Sequence, residues 1–154
     1  MNRNKNFFDK IGSLLPGYSG YAERDGRRNC DKILREGITS QLYEIEKILY
    51  EKINEALKVK DKEQMKEIEE LRKQINTFSS KVKYAPHGAT AFFSDNQIKE
   101  DELYKIYQMD LDLAEATDNL HKNITELTLT DIKKMVVLNQ SYYNKRNAYV
   151  NEFK

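Results

Sequence analysis

Apolar residues recur along this chain every three or four positions and nowhere in sustained alternation. One series runs Cys30, Leu34, Ile38, Leu42, Ile45, Leu49, Ile53 and Ala56, and a second runs Met65, Ile68, Leu71, Ile75, Phe78 and Val82. A third comprises Ile98, Ile106, Met109, Leu113, Ala116, Leu120, Ile124 and Leu127. A fourth comprises Ile132, Met135, Val136, Tyr142, Tyr149, Val150 and Phe153. A turn of 3.6 residues gathers each series on one helix face, whereas a half-buried strand needs a period of two. The spacing predicts main helices over 21–59, 62–83, 97–127 and 130–153. A shorter amphipathic helix over 7–15 presents Phe7, Phe8, Ile11, Leu14 and Leu15 on one side, and Pro16 stops it by pushing the preceding residue out of helical geometry.

The joins refine this picture. Gly17 and Gly20 make a turn carrying Tyr18 and Tyr21. Gly37 weakens the first long helix and allows either a bend or the close approach of a neighbour. Asp61 with Gln64 three residues later reads as a capped helix start. The segment "LKVKDKEQ" lacks the glycine or asparagine that usually forces a reversal, so a hairpin and one continuous rod both fit. Residues 84–96 form an apolar loop punctuated by Pro86 and Gly88. Its Phe92 and Phe93 either fold over one end of the molecule or protrude toward a partner or membrane. Ser94 to Asn96 offer caps for the third helix, and Thr130 offers one for the fourth. Four long amphipathic segments with short joins imply an all-α, single-domain fold over 1–154: an up-and-down bundle of helical hairpins with coiled-coil-like packing.

Composition supports long helices: 33% of residues are charged, with six glycines, two prolines and no tryptophan. Net charge is only +1, so no global field draws the chain to nucleic acid. The charge is unevenly spread. Residues 1–37 carry +3, 38–94 carry +1, 95–131 carry −7 and 132–154 carry +4. An acidic third segment between basic neighbours suits antiparallel helices that attract one another. The single Cys30 permits no intrachain disulfide and is read as a small core residue of a protein in a reducing compartment. No stretch approaches the length of a membrane span, and a cytoplasmic location, with a membrane-peripheral alternative, is expected.

Chemistry is sparse. Asp118 and His121 stand three apart, but a di-iron bundle needs two such motifs and two further glutamates, and no second copy exists. Asp110, Asp112, Glu115 and Asp118 scatter around their helix. His87 in "APHGA" has no ligand quartet. No metal, cofactor or catalytic residue is therefore assigned. The remaining cluster is Tyr18, Tyr21, Arg24, Arg27, Arg28, Asp31 and Arg35. Arginine replaces the lysine that dominates elsewhere, and its planar fork suits carboxylate or phosphate. On a continuous helix Arg24, Arg28, Asp31 and Arg35 share one face. Two partners fit: an internal acid such as Asp110, Asp112 or Glu115, or an external anion.

The run Pro16-Gly17-Tyr18-x-Gly20-Tyr21, followed by Arg27-Arg28-x-x-Asp31-Lys32-x-Leu34-Arg35, resembles the N-terminal signature of a small uncharacterised bacterial helical family. That resemblance covers about residues 7–36, implies a small helical protein and supplies no activity. The function expected is a non-enzymatic interaction or assembly module that associates with itself or with a protein partner. The alternative is a peripheral adaptor for an anionic lipid surface, using the 7–15 face, Phe92, Phe93 and the arginine cluster.

Overall fold

The computed structural model describes residues 3–85, 91–94 and 97–153. Pro86, His87, Gly88 and the capping candidates Asp95 and Asn96 lie outside the described residues. Helices α1 (Arg3–Leu14), α2 (Arg27–Lys58), α3 (Lys62–Lys83), α4 (Glu100–Asn123) and α5 (Leu129–Asn151) make up the chain, with no strand among the described residues.

The long helices alternate in direction. Arg35 meets the Val82 and Ala85 carbonyls while Glu46 meets Arg72 and Asn76, so α2 and α3 are antiparallel. Asp110 against Arg146 and Thr117 against Asn139 set α4 and α5 antiparallel in the same way. The join between α2 and α3 is a hairpin. Asp61 N–H donates to Ala56 O at 3.0 Å and Lys60 N–H to Leu57 O at 3.1 Å, closing the helix end as glycine usually does. Lys60 adopts the required left-handed backbone, with φ 58°, despite its side chain. Asp61 then caps α3 by accepting from Gln64 N–H at 3.1 Å.

The apolar series converge as their periodicity implies. Leu34, Ile38, Leu42, Ile45 and Leu49 of α2 are almost wholly buried, as are Ile68, Leu71 and Ile75 of α3 and Ile132 and Val136 of α5. Each such side chain contributes roughly 1.5–3 kcal/mol relative to exposure. Helix α1 packs across α4, with the Phe7 ring stacked on Tyr107 at 5.0 Å. Leu15 fits into the space at Gly37, where any Cβ would overlap its side chain, so the glycine serves a close approach. Gly17 and Gly20 have φ +93° and +89°, which reverses the chain after α1 and lays Tyr18 and Tyr21 into the core.

Four helix starts differ from the sequence expectation, and α1 begins at Arg3 rather than at residue 7. α2 begins at Arg27, not near Tyr21, because residues 24–26 form a 3₁₀ turn and Arg27 Nε bonds back to Tyr21 O at 2.9 Å. α4 begins at Glu100, where the Glu102 carboxylate accepts Lys99 N–H at 2.9 Å; Ser94 instead donates its hydroxyl to Ala91 O. α5 is capped by Thr128, whose hydroxyl accepts Asp131 N–H at 3.1 Å, rather than by Thr130.

Candidate functional site

The cluster singled out in the sequence divides on folding. Tyr18, Tyr21, Arg27 and Asp31 are buried and Arg35 is half-buried, while Arg24 and Arg28 stay exposed. Arg24 falls in the 3₁₀ turn before α2, beside Asp25 at 3.6 Å, so it does not continue the face formed by Asp31 and Arg35.

The buried members meet in the interior. Tyr18 and Tyr21 each donate a hydroxyl to Asp110 Oδ2 at 2.6 Å. Arg146 of α5 donates Nε to Asp110 Oδ1 at 2.9 Å and Nη2 to the Tyr21 hydroxyl oxygen at 3.0 Å. The same Nη2 stands 2.6 Å from Asp31 Oδ1. Asp31 Oδ2 lies 2.9 Å from Arg35 Nε, and Arg35 Nη1 reaches the Ala85 carbonyl at 2.9 Å. Two carboxylates and two guanidiniums thus form a chain with no net charge, the condition under which buried ions are tolerated. It links α2, α4, α5, the end of α3 and the turn after α1. Arg27 does a related task by donating to the Tyr21, Phe92 and Ser94 carbonyls, which holds residues 91–94 on the core.

The electrostatics follow from burial. Burial, and then the charge of Asp110, pushes the Tyr18 and Tyr21 hydroxyls well above their ordinary range. Burial raises the Asp110 carboxyl, opposed by Arg146 and the two tyrosine donors. Burial lowers Arg146, but Asp110, Tyr21 and Asp31 outweigh it and hold the guanidinium well above its ordinary value. Cys30 lies beneath this cluster, and burial followed by Asp110 pushes its thiol up to about 12. The thiolate that nucleophilic or metal chemistry requires is therefore disfavoured in the folded state.

Asp110 is one of the acids the sequence offers to the arginines, but the arginine that reaches it is Arg146, which the local sequence does not mark. It sits in "YNKRNAY", inside a polar run. The available signal was register: Val136, Asn139, Tyr143, Arg146 and Val150 follow inward-facing spacings, with polar residues at two of the five. Asp110 and Thr117 likewise interrupt Ile106, Leu113 and Leu120.

The apolar face of residues 7–15 turns inward. Phe7, Ile11 and Leu15 are buried, and Phe8 and Leu14 are partly buried against the core. Phe92 and Phe93 are buried too, with Phe92 at 4.9 Å from the Tyr21 ring and 5.2 Å from that of Phe153. Asp118 is paired with Lys122 at 2.9 Å, and no group of three potential ligands gathers for a metal among the described residues. No described helix is long and apolar enough to cross a membrane.

Fold and cluster together define a class: an all-α bundle whose interior carries a neutral arginine–carboxylate–tyrosine chain. The sequence was compared with protein-family models, curated proteins and solved structures, and none of the three comparisons gave a match.

Proposed function

We propose that this protein is a non-enzymatic helical assembly module that pairs with a second copy of itself through the outer face of α2. The observation that carries this reading is a stripe of large side chains at heptad spacing, Tyr43, Tyr50 and Leu57, which are 60%, 50% and 57% exposed. Within the monomer Tyr43 and Tyr50 each meet one cation, Lys47 and Arg72, and still leave most of their surface to solvent, whereas a helix–helix seam uses this heptad period to bury it. Tyr50 is already positioned: the Arg72 guanidinium lies 4.7 Å from its ring centroid and is itself fixed by two bonds to Glu69. A pre-ordered ring loses less entropy on binding than a free one.

Charge selects the arrangement. Antiparallel pairing about Tyr50 sets Tyr43 against Leu57 of the second copy. It also brings Lys47 toward Glu51, and Glu44 toward Lys58, of that copy. Parallel pairing sets each of these charges against its own kind, which is unfavourable. The signature residues Tyr18, Tyr21, Asp31 and Arg35 act in this reading as the internal frame that keeps α2 straight and oriented. The membrane-adaptor alternative has less support, because the 7–15 face it requires is packed against the bundle.

Sedimentation equilibrium tests the proposal. The wild-type protein is expected to show a concentration-dependent dimer. A Tyr43→Glu/Tyr50→Glu variant is expected to stay monomeric with an unchanged helical circular dichroism spectrum. A wild-type protein that remains monomeric throughout the accessible concentration range overturns it.

A further inference from the structure

The arginines that do not turn inward open a second line of inference. A groove of about 450 Å³ lies between the first turns of α2 and the last turn of α3, lined in part by Arg28, Lys32, Arg35, Glu36, Lys83 and Tyr84. Its charges do not cancel. Arg35 is matched by Asp31 at 2.9 Å, and Lys32 by Glu36 at 3.9 Å. Arg28 and Lys83 remain, and among the described residues neither has a carboxylate within ion-pair distance. Each lies instead over an aromatic ring: Arg28 5.4 Å from the Phe93 centroid and Lys83 5.3 Å from that of Tyr84.

That placement has a chemical consequence. A ring satisfies the face of a guanidinium and leaves the in-plane N–H donors for another acceptor. An ammonium over a ring likewise keeps donors to spare. Two positioned cations, contributed by two helices and bordering one groove, leave an excess of two positive charges. A phosphomonoester carries close to two negative charges at neutral pH and several acceptor oxygens. Tyr84, 73% exposed, adds a flat apolar surface at the same groove for a planar or aliphatic body.

We propose that this groove binds a phosphomonoester, with the phosphate held between Arg28 and Lys83 and the organic portion laid on Tyr84. The shared chemistry occurs in soluble mononucleotides and in the headgroup of phosphatidic acid. Calorimetric titration with adenosine 5′-monophosphate, with adenosine as the uncharged control, tests the first source. Co-sedimentation with phosphatidylcholine vesicles, with and without phosphatidic acid, tests the second.

Binding of either phosphate-bearing probe is expected, weakened by salt and reduced roughly tenfold or more in both Arg28→Gln and Lys83→Gln, since each removes a charge-assisted contact. Lys66→Gln, which removes the same charge from an exposed site elsewhere on α3, is expected to leave affinity unchanged. Binding of the nucleotide alone assigns a soluble ligand; sedimentation with phosphatidic acid alone assigns a lipid one. The proposal is overturned if neither probe binds, if adenosine binds as well as its monophosphate, or if Arg28→Gln/Lys83→Gln binds like the wild type.

Discussion

At the scale of single residues, the interior chain is a set of mutual obligations. Among the described residues, Arg146 is the cation that reaches both Asp110 and Asp31, each almost fully buried. Replacing it by methionine keeps much of the volume but leaves Asp31 with Arg35 and Asp110 with its two tyrosine donors alone, so one buried negative charge is uncompensated. Arg146→Met is expected to lower stability by about 3–5 kcal/mol in urea unfolding, the usual cost of breaking a buried pair from one side. A loss under about 1 kcal/mol, the range of exposed pairs, would show the cluster to be solvated. The raised tyrosines and thiol predict a pH dependence of definite sign. Cys30 ionises near 9.0 when exposed and near 12 when folded, so its contribution is intact below the lower value and disappears as pH rises through the interval, about 4 kcal/mol in all. Tyr18 and Tyr21 add to the decline above their ordinary value of 10.0. Urea midpoints are therefore expected to fall between about pH 9 and about pH 12, and Cys30→Ala should flatten the first part of that fall. A flat profile in the wild type would contradict the assigned burial.

At the scale of elements, the hairpin between α2 and α3 depends on one residue in an unfavourable conformation. Lys60 holds φ 58°, a region that costs a side-chain-bearing residue roughly 1–2 kcal/mol relative to glycine. Lys60→Gly is expected to stabilise the protein by up to about 1 kcal/mol, because part of the relief is offset by the added freedom of the unfolded chain. Unchanged or lower stability in thermal and urea unfolding would argue against a strained turn. This turn also marks where the sequence stops being legible. Helices α2 and α3 follow from Leu34, Leu42, Leu49, Leu71 and Phe78, since apolar residues at helical spacing have few ways to be buried. The reversal between them does not follow, because lysine signals no left-handed geometry and only the packing of two apolar faces makes it worthwhile. The cluster was half legible for a related reason. Tyr18, Tyr21, Asp31 and Arg35 stand close together in a short motif, whereas Asp110 and Arg146 join them from 75 or more residues along the chain. A polar residue in an apolar register looks like an interruption until its partner is placed opposite.

At the scale of the whole molecule, the neutral interior and the outer stripe serve different ends. The interior chain ties five segments into one body, which fixes the helix that presents Tyr43, Tyr50 and Leu57. The proposed pairing makes a geometric demand that the oligomeric state by itself does not test. In an antiparallel pair centred on residue 50, the two copies of that residue approach each other on the two-fold axis, while each residue 43 faces residue 57 of the other copy. Disulfides form only when the Cβ atoms come within about 3.5–4.5 Å, which makes them a measure of register. In a Cys30→Ala background, Tyr50→Cys is expected to give a covalent dimer on mild oxidation, and Tyr43→Cys alone is not. Tyr43→Cys combined with Leu57→Cys should restore the cross-link. A parallel pair would give the opposite pattern, with Tyr43→Cys linking to itself as readily as Tyr50→Cys. Non-reducing electrophoresis therefore separates the two arrangements directly, and equal cross-linking of a control cysteine placed at exposed Lys66 on α3 would point to random collision rather than a seam.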